Sequence, residues 1–432
     1  MILLDIRIHP GKTIKGSINV PGDKSISHRS VMLGAIARGI TEIEGFLMGE
    51  DCLSTISCFK KMGIDIRITP EKVIVKGNGM KGLKAPESIL DVGNSGTTIR
   101  LIMGILSAQN FTSVITGDSS IQKRPMDRVA IPLKEMGAKI IGKGNTTLAP
   151  LTIEGAPLKG IEYTLPVASA QVKSSIILAG IYAQEKTIIT EPSLTRDHTE
   201  IMLSSFGASI GREGNKIIVN PAEELTGQKI SVPGDISSAA YFIAAASILE
   251  GSDVLIKNVG VNPTRTGIIK ALKEMGADIS LLNERNLSGE AVADIQVKYA
   301  PLKGIALSGN IIPLMIDEIP VFAVAALFAE GKTIIKDAQE LKVKESNRIA
   351  AMVTELKKMS ANIEETPDGM IIEGGFNLKG ASMESYNDHR IAMSLAIAAL
   401  KAQGESTIIN GSCTDISFPG FYGILENIIT VK

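Results

Sequence analysis

The feature that most limits what this chain can fold into is a phrase that it repeats. FKKMGIDIRI at 59–68 returns as LKEMGAKII (133–141), LSSFGASIG (203–211), LKEMGADISL (272–281) and LKKMSANIEE (356–365). An apolar residue, two polar ones, an apolar one and Gly, then alternation, describes a helix end capped by Gly and followed by a strand. Ser360 replaces the Gly in the last copy. A second phrase runs beside the first: ARGITEIEGF (37–46), AQNFTSVITG (108–117), AQEKTIITEP (183–192), LEGSDVLIKN (249–258), AEGKTIIKDA (329–338) and AQGESTIING (402–411). Each copy closes a small-residue helix, turns on polar or Gly residues and opens a strand of period two. Together they predict six helix–strand–helix–strand units, the last truncated. That period is too long for a solenoid of single supersecondary motifs. Single cores stop growing near ~250–300 residues. Six units in 432 residues therefore divide into three plus three.

The place of division is written into the chain. Val-Pro-Gly-Asp occurs at 20–23 and again at 232–235, each time before a helix-like run. Pro and Gly at both places suit crossovers between domains. The reading predicts a first domain at 21–232 and a second made of 1–20 plus 233–432, with crossovers near 20–22 and 232–234. MILLDIRIHPGKTIKG at the start reads as a strand of the second domain.

Composition narrows the partners. The formal net charge is −1, so no global field favours nucleic acid or an acidic membrane. The longest apolar runs, such as AAYFIAAASILEG (239–251), fall short of the ~18 residues a membrane span needs. Asp5 and Arg7 break the N-terminal apolar stretch, so it is no signal peptide. Cys52, Cys58 and Cys413 form no CxxC and read as buried thiols of a cytoplasmic protein. The four histidines have no metal-ligand spacing, and no metal is expected.

The chemistry gathers where the first helix of each unit begins: DKSISHR (23–29), GNSGTTIR (93–100), SAQVKSS (169–175), DISSAAY (235–241), IDEIP (316–320) and NDHRIAM (387–393). Asp23, Asn94 and Asn387 are good N-caps there. Helix N-termini present free N–H groups and partial positive charge, and so bind phosphate and carboxylate. Lys24, Arg29, Arg100, Arg124, Lys173, Arg196, Lys344, Arg348 and Arg390 add cations at or near these starts. A cation at an N-terminus opposes the helix dipole, so the recurrence calls for a reason other than helix stability. Singly, each reads as a solvated charge; as a set in a repeat, they read as an anion cleft. Two carboxylate positions stand against this background. Asp317 and Glu318 open a helix, and Glu345 lies between Lys344 and Arg348. Glu345 reads either as an i,i+3 surface partner of Arg348 or as half of a proton-transferring carboxylate pair beside bound anions.

In order along the chain, VPGDKSISHR, LDVGNSGTTIR, KRPMDR, SAQVKS, MIDEIP, KVKESNRI and NDHRIAM resemble the 5-enolpyruvylshikimate-3-phosphate synthases, from about residue 20 to 420. The resemblance implies an α/β (α+β) fold, a two-domain inside-out α/β barrel with three βαβαββ units per domain, closing over substrate like a clamp. It implies transfer of the enolpyruvyl group of phosphoenolpyruvate to the 5-hydroxyl of shikimate 3-phosphate through a tetrahedral intermediate, with no cofactor and a monomeric enzyme. Carried over by motif, Lys24, Gly96, Arg124, Arg348 and Arg390 hold phosphoenolpyruvate. Ser25, Arg29, Ser169, Gln171, Arg196, Asp317 and Lys344 hold shikimate 3-phosphate, and Asn94 and Ala170 come with their motifs. Asp317 takes the hydroxyl proton, Glu345 protonates the methylene, and Lys24 balances charge or shuttles a proton.

Departures from better-known members are Ala170 for a second Ser, Arg196 for a Tyr, Glu340 for an Asn, Leu101 for a Pro, and CTDISFP without its usual Lys. They resemble the glyphosate-insensitive subgroup. The sister UDP-N-acetylglucosamine enolpyruvyl transferases carry a reactive Cys where this chain has GDSSIQKRPMDR. A non-catalytic anion-binding protein on the same repeats would have no use for Asp317 and Glu345.

Overall fold

Every copy of the first phrase ends a helix and begins a strand. In this computed structural model, which describes residues 4–431, helix Glu50–Lys61 leads to strand Asp65–Ile68, and Asp127–Glu135 to Lys139–Ile141. His198–Ser205 leads to Ile210–Glu213, Gly267–Glu274 to Asp278–Leu287, and Arg348–Lys358 to Asn362–Thr366. The second residue after each helix is left-handed, with φ +84° at Gly63, +115° at Gly137, +99° at Gly207, +102° at Gly276 and +68° at Ser360. A left-handed L-residue costs roughly 1–2 kcal/mol, which Gly largely avoids. Ser360→Gly should therefore stabilise the protein by about 0.5–1 kcal/mol, after the entropy that Gly adds to the unfolded chain. Urea unfolding checks this, and a lowered midpoint would contradict it.

Packing divides the chain into two units. The first holds Gly22–Val232 with Asn286–Glu290; the second holds Met1–Pro21, Pro233–Arg285 and Ala291–Lys432. Each contains three helices that open a repeat. These are Lys24–Ile36, Gly96–Leu106 and Ala170–Gly180 in the first, and Ile236–Ile248, Ile319–Leu327 and His389–Leu400 in the second. Their small apolar residues allow burial on nearly every side, and every residue of Ile236–Ile248 is buried.

One sheet order recurs. Leu90–Asp91, Thr112–Thr116, Leu151–Glu154 and Lys139–Ile141 lie side by side, the first pair parallel and the rest antiparallel. The same pattern is built from Glu162–Thr164, Thr187–Thr190, Lys216–Val219 and Ile210–Glu213. It appears again from Ala306–Leu307, Lys332–Ile335, Gly369–Glu373 and Asn362–Thr366.

Two sheets take their parallel strand from far along the chain. Lys229–Ser231 pairs with Arg38–Glu44 in the first unit, and Gly11–Asn19 pairs with Asp253–Gly260 in the second. Each donated strand runs straight into a Val-Pro-Gly. At both places Gly permits close backbone approach: a Cβ on Gly22 would lie 1.9 Å from the Gly45 carbonyl oxygen, and one on Gly234 2.8 Å from Val20 Cγ2.

The N-terminal stretch expected as one strand is two. Ile6–Ile8 pairs antiparallel with Ser406–Ile409, filling an edge of the truncated last unit, while Gly11–Asn19 joins a different sheet. Pro10, without an N–H to donate, lies at the break. The first three residues of that stretch lie outside the described ones.

Candidate active site

Two polar clusters, one in each unit, contain the residues singled out above. In the first unit Asp23 caps helix Lys24–Ile36, its side chain accepting from Ile26 N. Lys24 Nζ pairs with Asp51 Oδ2 at 2.8 Å. Arg29, one turn on, is buried; its guanidinium donates to Thr199 Oγ1 at 2.7 Å, Ser174 Oγ at 2.9 Å and the Ser25 carbonyl at 3.0 Å. These three acceptors are neutral. Burial pushes Arg29 down to about 10 against the pull of Glu200 and Asp23, and Arg196 adds to the lowering. A buried cation held by neutral oxygens suits an incoming anion. His28 beside it is kept neutral: burial, then Lys24 and Arg29, hold it well below the usual histidine range.

His28 also connects two helix starts. Its Nδ1 lies 2.7 Å from Thr55 Oγ1, Thr55 lies 2.7 Å from Thr98 Oγ1, and Thr98 bonds to the cap Ser95. Beyond that cap begins helix Gly96–Leu106. A Cβ on Gly96 would lie 3.1 Å from both Arg100 Nη1 and Arg124 Nη1, so two guanidinium groups flank the open face of this glycine. Arg100 donates to Gln171 Oε1 at 2.5 Å, and Gln171 donates to Thr97 Oγ1 at 3.1 Å. Ser169 caps the helix that Ala170 begins. Arg196 is half-buried near enough to Arg29 to act on its charge.

Three expectations are corrected. The cap at the second helix start is Ser95, not Asn94, whose amide donates to Asp118 Oδ2 at 2.7 Å. The cap at the sixth is Asp388; Asn387 holds a left-handed backbone instead. Lys173 is no anion-binding cation: fully buried, it lies 2.8 Å from Glu200 and 3.1 Å from Glu191.

In the second unit the cluster is built on Arg348, the first residue of helix Arg348–Lys358. Its Nε donates to Asp388 Oδ2 at 2.8 Å, Nη1 to Asp317 Oδ1 at 3.2 Å and Nη2 to Glu345 Oε2 at 2.5 Å. Burial opposes this charge, yet Asp388, Glu345 and Asp317 outweigh it and hold Arg348 above the ordinary guanidinium range. Glu345 is thus an i,i+3 partner as expected, but its arginine is 1% exposed and not at the surface. Arg390 donates to the Asp317 carbonyl at 3.3 Å and lies 3.9 Å from Glu318 Oε1. Lys344, directly before Glu345, is half-buried.

Sequence reasoning singled out Glu318 but passed over several of the residues around it. Asp388, wholly buried, binds Arg348 and caps Arg390's helix. Glu318 accepts from Ser237 Oγ, and Arg265 donates to Ser237 Oγ at 2.8 Å and to Asp235 Oδ1 at 3.1 Å. Asp51 could have been found as the acidic residue at a helix start matching Lys24, and Asp235 and Asp388 as cap residues of their helix-start motifs; for Arg265 the chain carries no local signal. The thiols of Cys58 and Cys413 are both pushed up to about 12 by burial, which makes them inert. Among the described residues, no helix is long and apolar enough to cross a membrane.

A family model described as EPSP synthase (3-phosphoshikimate 1-carboxyvinyltransferase) matches residues 8–425. A 3-phosphoshikimate 1-carboxyvinyltransferase of Thermoanaerobacter sp. (strain X514) is 61% identical, over 97% of this chain and 99% of its own length. One from Desulforamulus reducens is 52% identical, over 99% and 100%. The solved EPSP synthase of Acinetobacter baumannii superposes with a TM-score of 0.89 at 49% identity, covering 99% of this chain and 98% of that one.

Proposed function

The chain belongs to the EPSP synthase family and transfers the enolpyruvyl group of phosphoenolpyruvate to the 5-hydroxyl of shikimate 3-phosphate; from that premise we propose how its residues divide the reaction. Lys24, Gly96, Arg124, Arg348 and Arg390 bind phosphoenolpyruvate. Ser25, Arg29, Ser169, Ala170, Gln171, Arg196 and Lys344 bind shikimate 3-phosphate, with Asn94 bracing the turn before Gly96. One observation carries the reading: a single buried guanidinium, Arg348, holds both Asp317 and Glu345. Two carboxylates kept apart on one cation can act in opposite senses. Asp317 takes the 5-hydroxyl proton as the oxygen attacks. Glu345, in its acid form, gives a proton to the methylene, which becomes a methyl group as the adjacent carbon gains cationic character. In the second half the methyl returns that proton to Glu345 as the C–O bond to phosphate breaks, and the phosphate leaves with the proton that Asp317 took from the hydroxyl. Lys24 balances the charge that gathers on the phosphate.

Phosphate release in the presence of both substrates tests this. Turnover should require both. Binding of both without phosphate release would overturn the reading.

The same proposal extends to the chain's organisation and its inhibitor response. Its domains are 21–232 and 1–20 plus 233–432, and it works as a cytoplasmic monomer. Ala170, Arg196, Glu340, Leu101 and the missing Lys between Cys413 and Phe418 support membership of the glyphosate-insensitive subgroup. A glyphosate titration against phosphoenolpyruvate should leave activity largely intact at equal concentrations; half-inhibition far below that would reject the subgroup.

A further inference from the structure

Helix Arg348–Lys358 grips the segment ahead of His389–Leu400 at two points. The first is the Arg348–Asp388 pair described above. The second lies two turns on, at Glu355. This carboxylate is wholly buried and accepts from the Glu384 amide at 2.8 Å, the Tyr386 hydroxyl at 2.8 Å and Lys358 Nζ at 2.7 Å. The segment between the two grips is unusual. Tyr386 and Asn387 are consecutive left-handed residues with φ +55° and +54°. Asn tolerates that conformation, whereas a bulky aromatic does not adopt it without a cause. The cause on hand is the phenol–carboxylate bond, since a hydrogen bond to a charged group is among the stronger ones. Burial and Glu355 push the Tyr386 phenol up to about 12, so it stays a donor. Directly after this turn come Asp388, whose amide donates to the Ser385 carbonyl at 2.9 Å, and Arg390, whose amide donates to Asp388 Oδ1 at 3.0 Å.

We propose that Glu355 and Tyr386 are positioning residues for phosphoenolpyruvate binding: they lock the left-handed turn that sets Asp388 against Arg348 and Arg390 into the cluster. The substrate named here rests on the proposed role of Arg348 and Arg390.

Three variants test it. Tyr386→Phe keeps the ring and the strain but loses the grip; KM for phosphoenolpyruvate should rise about tenfold, with KM for shikimate 3-phosphate unchanged. Glu355→Gln should do the same. Tyr386→Asn, which accepts the left-handed backbone without needing the hydroxyl, should raise it less than Tyr386→Phe does. A merely structural role would instead lower thermal stability and leave the two KM values in their wild-type ratio. That outcome, or an Asn variant worse than the Phe one, overturns the proposal. Amide hydrogen exchange at Asp388 and Arg390 reads the same lock without substrate. It should quicken in Tyr386→Phe; unchanged exchange also overturns the lock. If exchange quickens while Arg348→Lys leaves KM for phosphoenolpyruvate unaltered, the lock stands and the assignment of Arg348 to that substrate falls.

Discussion

Asp317→Asn is expected to lower kcat by about 10²–10⁴-fold, the usual worth of a positioned general base. The substitution keeps the shape and leaves a carbonyl oxygen to accept from Arg348, which now donates to Asp317 Oδ1 at 3.2 Å. The fold should therefore survive, and KM for phosphoenolpyruvate should move far less than kcat. Saturating-substrate kinetics with a thermal melt on the same sample make the check. Near-normal kcat would remove Asp317 from proton transfer; a collapsed melt would assign the residue to folding instead. Glu345→Gln is the natural companion, because Arg348 holds both carboxylates. If the two residues act in successive proton transfers, both variants should be slow under saturation.

Asp388→Ala is expected to be the most damaging single change to the second unit. The carboxylate is wholly buried and takes Arg348 Nε at 2.8 Å, Arg348 Nη2 at 3.3 Å, Ser346 Oγ at 2.9 Å and the Arg390 amide at 3.0 Å. Removing it leaves a buried guanidinium short of its main partner, which costs roughly 3–5 kcal/mol. The lost helix cap adds about 1 kcal/mol. For a unit of this size that corresponds to a melting point lower by roughly 10 °C or more. Asp388→Asn should cost less, since the amide oxygen still caps the helix. A fall of only a degree or two in the Ala variant would show that Asp317 and Glu345 compensate Arg348 by themselves.

The repeat was legible because helix-end glycines and period-two strands are local signals. Ser360 is instructive: it broke the Gly pattern in sequence yet keeps φ +68°, so the position, and not the residue, defines the turn. The site was legible in its cations and less so in what holds them. Asn94-Ser95 and Asn387-Asp388 each offer two adjacent good caps, and propensity cannot choose between them. The choice is made by partners elsewhere, Asp118 drawing Asn94 aside and Arg348 claiming Asp388. Lys173 was misread for a similar reason. Its carboxylates, Glu191 and Glu200, come from later in the chain and meet it only when the unit is packed.

The strand Gly11–Asn19 has a consequence for synthesis on the ribosome. It emerges long before its parallel partner, Asp253–Gly260. Even the bond from Ile14 N to Ser252 Oγ joins residues 238 apart. At translation rates of ~5–20 residues per second, that strand waits roughly ten to fifty seconds for its neighbour. During this interval the whole of Gly22–Val232 is made. The nascent chain therefore carries an unpaired β-edge ahead of Gly22–Val232 while that stretch can already collapse, a period of exposure to holdase chaperones and to wrong pairing.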